Sequence, residues 1–212
     1  MMKSIFFGIV TLMFAAVIMQ QEQASAQGTD PKLSSSTDEW DFMDKKCSDK
    51  LHDQIKKEFN AAIFYMQFAA YFSQYKVNLP GFENFFFHAA SEEREHGMKL
   101  IEYAQMRGQK PINSTNFKLE FETQETEKKS AGLSALEKAL RKEQEVTSSI
   151  RELIKICEQD HNDYHLVDYL TGEFLEEQHQ GQRDLAGKIA MLKKLLVTNK
   201  KLGEFMFDKQ NM

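Results

Sequence analysis

Apolar residues recur at three- and four-residue steps along four long stretches of the chain, and none of the four contains an internal proline. The first runs from about Ser48 to Tyr75, with a stripe at Leu51, Ile55, Ala62, Tyr65, Ala69 and Phe72. It stops at KVNLPG, where Pro80 and Gly81 punctuate the chain. The second runs from about Phe82 to Met106 through Phe82, Phe85, Ala89, Leu100 and Tyr103, and ends near Gly108. The third, from about Leu133 to Glu158, aligns Leu133, Leu136, Leu140, Ile150, Ile154 and Cys157. The fourth, from about Leu166 to Leu196, aligns Val167, Leu170, Phe174, Leu185, Ile189 and Leu192, and the amphipathic LGEFMF after it predicts a short fifth helix. No strand-period segment is long enough to propose a sheet, and no tandem repeat is present.

Connection lengths turn four helices into a topology. The first-to-second and third-to-fourth connections are short, so each pair is expected to form an antiparallel hairpin. The second-to-third connection, QKPINSTNFKLEFETQETEKKSAG, is long for a bundle. A helix of ~26 residues is ~39 Å long, and an extended segment of ~20 residues reaches ~66 Å. The segment can therefore travel the length of the bundle, which predicts an all-α four-helix bundle with one long crossover.

Composition is compatible with this. The 212 residues suffice for one domain, with 42% hydrophobic and 28% charged residues. A net charge of -5 argues against a nucleic-acid partner and favours attraction of cations. The segment MMKSIFFGIVTLMFAAVIMQQEQASAQG reads as a secretory leader spanning residues 1–26. It has Lys3 near the start, an apolar run from Ile5 to Met19 and the small-x-small close Ala24-Ser25-Ala26. Its run is shorter than the ~20 residues of a membrane span, so no membrane span is expected. Residues 27–44 are polar and read as a flexible N-terminal arm, leaving 45–212 as the folded domain. Asn113-Ser114-Thr115 is a glycosylation sequon, and Cys47 and Cys157 are an even pair able to form a disulfide outside the cytosol. The alternatives, an unmodified Asn113 and two buried thiols, fit a secreted chain less well.

The chemistry lies in polar residues on the apolar faces. On the second helix the stripe continues Phe85, Ala89, Glu93, His96, Leu100, Tyr103, with Glu92 at its flank. Glu58 falls inward on the first helix, Glu143 on the third and Gln178 on the fourth. A buried carboxylate costs several kcal/mol unless it is paired or binds a metal. One such residue would be unremarked core; a set drawn from four helices, with no Lys or Arg on the stripes nearby, calls for cations. Carboxylates with imidazole suit iron or a similar first-row metal, and Glu93 and His96 can reach one ion from a single face. Glu176 and His179, a second Glu-x-x-His, are rotated off the stripe and read as a solvated pair.

The strings EEREHGMKL, EFNAAIFY, FLEEQ and EFMFDK resemble a heavy-chain-type ferritin, and with the leader and sequon they resemble the secreted ferritins of insects and other arthropods. The resemblance covers the chain from about residue 45 to the end. It implies a ferritin-like fold and a ferroxidase centre for two iron ions per subunit. Glu58, Glu93 and His96 would hold the first, and Glu93, Glu92 and Glu143 the second, with Tyr65 and Gln178 supporting them. It further implies a 24-subunit shell, homo-oligomeric or mixed with a light-chain-type subunit. In such a shell Fe(II) meets dioxygen and is stored as ferric oxyhydroxide. In the family's ion channel Asp168 matches one acid, whereas Thr171 replaces the other, with Asp163, His165 and Glu173 nearby. At the family's nucleation patch Glu92 and Glu95 match, whereas Met98 replaces a third acid, which points to a light-chain partner for part of nucleation. The topology brings Cys47 and Cys157 to one end of the bundle, where a bond within the chain and a bond between subunits are both open. The residues alone also allow a store that no longer turns over iron, a di-iron oxidase without a shell, and a secreted signalling bundle.

Overall fold

A computed structural model describes residues 43–109 and 130–212. The leader, almost all of the arm, Asn113 and most of the crossover lie outside the described residues. Among the described residues six α-helices and one π segment follow in order: α1 (Lys45–Phe72), α2 (Pro80–Met106), α3 (Ala131–Gln159), α4 (Tyr164–Tyr169), the π segment (Leu170–Leu175), α5 (Glu176–Leu195) and α6 (Lys200–Asn211). No strand occurs among the described residues. α1 packs along α2, α3 along α5, and α1 against α3, which is the expected four-helix bundle. α6 is the short C-terminal helix, packed on α2 and α5.

Local chemistry explains the boundaries. Asp44 caps α1 by accepting from the Lys46 backbone N–H at 2.7 Å, and Pro80 starts α2, where a missing N–H costs nothing. Asn78 (φ 49°) and Asn162 (φ 55°) turn the chain between the paired helices, in the left-handed region that Asn tolerates. Cys47 and Cys157 form a disulfide with Cα atoms 5.1 Å apart, joining the start of α1 to the end of α3. Of the two bonds left open by the sequence, the structure contains the one within the chain.

α6 is tied down by charge as well as packing. Asp208 Oδ1 accepts from the Phe82 backbone N–H at 2.9 Å, and Glu204 Oε1 accepts from the Gly132 backbone N–H at 2.7 Å. Two carboxylates of one helix thus satisfy amides at the starts of α2 and α3 that have no partner within their own helix. The approach is close enough that a Cβ on Gly203 would stand 2.4 Å from the Leu195 carbonyl oxygen.

Two departures from the stripes matter. In the first half of α2 the buried positions are Phe82, Phe86 and Ala90, while Phe85 and Ala89 are only partly buried. A helix with neighbours on two sides buries more than one row, and the 3.6-residue period lets either row carry the pattern. The fourth helix is also not one uninterrupted α-helix but α4, the π segment and α5. Its buried row begins at Leu166, with Val167 beside it only partly covered.

The core is divided. One cluster gathers Phe68, Phe72, Phe82, Phe86, Leu136, Leu192 and Phe207, and the other gathers Cys47, Leu51, Ile55, Leu100, Ile150, Leu166 and Phe174. On every long helix a buried polar residue falls where one cluster gives way to the other: Glu58, Glu93 with His96, Glu143 with Thr147, and Gln178. Helix geometry places a polar belt across the middle of the bundle.

Candidate metal centre

Each member of this belt is delivered by a helix whose neighbouring turns are anchored in the apolar clusters. Glu58 is wholly buried, and Glu93, His96, Glu143 and Gln178 are nearly so. Glu58, Glu93 and His96 each offer a ligand atom, and these atoms lie within 4.8 Å of one another. No other group of this kind occurs among the described residues. Glu58 Oε2, Glu93 Oε2 and His96 Nδ1 are buried without a hydrogen-bond partner, while Glu58 Oε1 accepts from Gln54 Nε2 at 2.7 Å. Buried polar atoms are nearly always satisfied, so incompletely satisfied atoms on three adjoining side chains, with His96 Nδ1 3.7 Å from Glu93 Oε2, mark a ligand position.

The acid on α3 is held differently. One oxygen of Glu143 accepts from the Tyr65 hydroxyl, and the other accepts from Gln178 Nε2 at 2.8 Å. Gln178 is in turn fixed by Thr147 Oγ1, which donates to its Oε1 at 2.6 Å and accepts from Gln182 Nε2 at 2.6 Å. A carboxylate has about four lone-pair sites, so Glu143 keeps capacity for a cation after both bonds.

Electrostatics point the same way. Burial pushes the Glu58 carboxyl well above the ordinary carboxylate range, and the adjacent Glu93 pushes it further. Burial, then the charge of Glu143, raises Glu93 well above that range as well. Burial also raises Glu143, against the lowering effect of its bonds from Tyr65 and Gln178. The Tyr65 phenol is raised well above its usual value by burial and by Glu143. Three acids that resist ionisation together create a strong demand for positive charge.

A cavity of ≈ 370 Å³ opens beside them, lined by Tyr65, Glu92, Glu93, His96, Glu143 and Gln178 among others. Phe85 and Ala89 form part of its wall, which accounts for their incomplete burial. Glu92 stands at this cavity half-exposed, its carboxylate 3.2 Å from His88 Nδ1. Two features escaped the sequence reading. Glu177 Oε2 lies 3.2 Å from His96 Nε2; it precedes Gln178 as Glu92 precedes Glu93, and that parallel is the signal that could have found it. Lys188 also lines the cavity, its ammonium over the Phe85 ring and donating to the Asn211 carbonyl at 3.3 Å.

Other candidates lie elsewhere. Asp168, Thr171, Glu173 and Glu95 are exposed and line no part of the cavity. Asp163 forms a fork with Arg107 at 2.9 and 3.0 Å and caps α4, so it has a structural task. Glu176 and His179 are exposed, as expected of a solvated pair. No helix among the described residues is long and apolar enough to cross a membrane.

Comparison with known proteins adds a separate line of argument. The family model described as a ferritin-like domain matches residues 48–195. The chain is 56% identical to the ferritin heavy chain of Aedes aegypti over 214 residues, covering 100% of each. It is 49% identical to that of Drosophila melanogaster over 174 residues, covering 82% of this chain and 84% of the other. The crystal structure of Trichoplusia ni secreted ferritin superimposes with a TM-score of 0.77 at 50% identity, covering 83% of this chain and 93% of that one.

Proposed function

The chain belongs to the ferritin family, and on that premise we propose that it is an iron-storage subunit that oxidises Fe(II) with dioxygen at a two-iron site. The observation that carries this reading is the convergence of buried ligand atoms from Glu58, Glu93 and His96 within 4.8 Å of one another. These residues bind the first Fe(II). Glu93 bridges to the second, which Glu143 holds from within and Glu92 from the half-exposed side of the cavity. Tyr65 and Gln178 fix the orientation of Glu143, and the hard oxygen donors favour Fe(III) over Fe(II) once electrons have left.

Two Fe(II) ions release two electrons, which take dioxygen as far as hydrogen peroxide and require two protons. The raised carboxyls hold protons in the metal-free chain and give them up as the cation binds, so protons are freed where the reduction consumes them. The Fe(III) product moves on to a ferric oxyhydroxide mineral inside a 24-subunit shell, built from this chain alone or with a light-chain-type partner. Glu95 contributes to nucleation and Asp168 to the ion channel. Residues 1–26 act as a secretory leader, 27–44 as an arm and 45–212 as the ferritin-like domain, with Asn113 glycosylated in a secreted product. What supports these points is the sequence pattern and the likeness to secreted and heavy-chain relatives.

The deciding experiment follows aerobic Fe(II) oxidation by absorbance in the wild type and in Glu58→Ala. A large loss of rate in the variant is expected; equal rates would remove the catalytic reading whatever the fold. Size-exclusion chromatography tests the shell independently.

A further inference from the structure

A file of aromatic rings runs from the metal centre to the far side of the second core cluster. The His96 ring lies 5.6 Å from Phe174, Phe174 5.7 Å from Tyr169, and Tyr169 stacks on Tyr103 at 4.7 Å with the planes 14° apart. The His165 ring follows at 5.6 Å from Tyr103. Aromatic contacts are commonplace in cores, and the file alone would carry nothing. Its end is different.

Tyr103 is buried, and its hydroxyl sits between two side chains: Arg107 Nη1 donates to it at 2.9 Å, and His165 Nδ1 lies 2.8 Å away. A phenol has one proton to give, and a guanidinium cannot receive it. With His165 in the tautomer protonated at Nε2, the Tyr103 hydroxyl donates to its Nδ1, on a ring that is otherwise exposed. Burial, with Asp163 next, disfavours the phenolate, so the phenol cannot lose its proton to the medium ahead of an electron. Losing an electron becomes feasible only if the proton moves at the same time, and Nδ1 is the acceptor already in place.

We propose that Tyr103 is a redox-active residue that donates one electron through Tyr169 and Phe174 to oxidising radicals formed at the metal centre, passing its phenolic proton to His165. The inference rests on the ferroxidase reading, which supplies the oxidant. Hydrogen peroxide from one turnover meets a further Fe(II); the O–O bond breaks to give Fe(III), hydroxide and a hydroxyl radical. That radical takes one electron from the file and one proton from water-borne acid and becomes water. Tyr103 loses one electron along the file and one proton to His165 Nδ1, and is left as a neutral phenoxyl radical. Phe174 is too hard to oxidise to be a resting point and acts as the bridge between His96 and Tyr169. Tyr65 is nearer the iron, but its hydroxyl is tied to Glu143 within the site, so a radical there would remain among the ligands. The Tyr103–His165 pair moves the unpaired electron away from them.

The test mixes the assembled full chain with excess Fe(II) in air, freezes it at successive times and reads the tyrosyl radical by electron paramagnetic resonance. Fe(II) oxidation is followed in parallel at two Fe(II) per subunit. The wild type should show a transient radical. Tyr103→Phe and Tyr169→Phe should each lose most of it while oxidation of the first two Fe(II) keeps the wild-type rate, and His165→Leu should reduce the radical relative to the iron it oxidises. Loss of the radical should bring more oxidative damage to the chain over repeated cycles. The Tyr169→Phe variant guards against a fold defect, because it leaves the Arg107–Tyr103–His165 cluster intact. A radical of wild-type yield in both tyrosine variants, or no radical in an actively oxidising wild type, overturns the inference alone. A wild type that oxidises no Fe(II) refutes the ferroxidase reading, and the inference falls with it.

Discussion

Replacing Glu58 by Gln should make the metal-free chain more stable while removing its capacity to oxidise iron. Glu58 is fully buried, with Oε1 bonded by Gln54 and Oε2 orphaned against the Glu93 carboxyl. In Glu58→Gln the amide oxygen keeps the bond from Gln54, and the NH₂ group offers a donor toward Glu93. The variant spares the fold the cost of burying a group that ionises in the unfolded chain, worth about 1–3 kcal/mol. At about 2–4 °C per kcal/mol for a chain of this size, the melting temperature should rise by about 2–12 °C at neutral pH. The pH dependence gives a sharper criterion. Because the folded carboxyl is raised, the folded state binds more protons than the unfolded state from the ordinary carboxylate range up to that raised value. Stability therefore falls as pH rises through this window, and is whole only below the ordinary value. The variant lacks that proton, so its advantage should be largest near neutrality and vanish as pH is lowered through the carboxylate range. Scanning calorimetry of metal-free protein at a series of pH values measures both. A redox-inert divalent ion such as Zn(II) should reverse the order by stabilising the wild type more. A variant less stable than the wild type at neutral pH, or a gap that does not change with pH, would refute the claim that these carboxyls are kept buried for a cation.

Three further outcomes are expected. The Cys47–Cys157 bond closes a loop of 110 residues, for which the chain-entropy relation gives about 4.8 kcal/mol. The double Cys→Ala variant should therefore melt about 10–20 °C lower, and reductant should lower the wild type alone. Gly203→Ala places a Cβ 2.4 Å from the Leu195 carbonyl oxygen, which is backbone and cannot yield. It should cost about 1–3 kcal/mol and raise hydrogen exchange across Lys200–Asn211; unchanged exchange would show that α6 does not need the contact. Thr147→Val removes the hydroxyl that fixes Gln178 and, through it, Glu143. Iron oxidation should slow roughly tenfold, the lower end of the range for groups that orient metal ligands, and a wild-type rate would end that positioning role.

What could be read from the sequence followed from periodicity. The long helices appear because apolar residues repeat at the helical period, and the belt appears because Glu58, Glu93, His96, Glu143 and Gln178 interrupt that repeat on the buried side. Contacts made at a distance left no local trace. Glu204 and Asp208 look like ordinary acids of a surface helix, and only the tertiary structure shows them capping α3 and α2. Glu177 lies one residue off the stripe and is half-exposed, so the pattern that exposed Gln178 concealed it. The cysteines gave a count and a common end of the bundle, and the choice of partner required Cα positions.

The π segment shows how a backbone irregularity serves the site. The fourth helix buries Leu166, Leu170, Phe174 and Gln178, a step of four residues each time. In a regular α-helix twelve residues turn through about 1,200°, or about 120° beyond three full turns. That drift would take Gln178 off the face that carries Leu166, and one of them would have to leave the core. The wider turns of Leu170–Leu175 use more residues per turn and absorb the excess. Leu166 and Leu170 can therefore complete the apolar cluster at one end while Gln178, just past the segment, meets Glu143 in the belt. From Gln178 onward the α-period resumes, and Leu185, Ile189 and Leu192 fill the other cluster. Two apolar clusters and a polar belt between them place different demands on one helix, and the π turn is where its register changes to meet them.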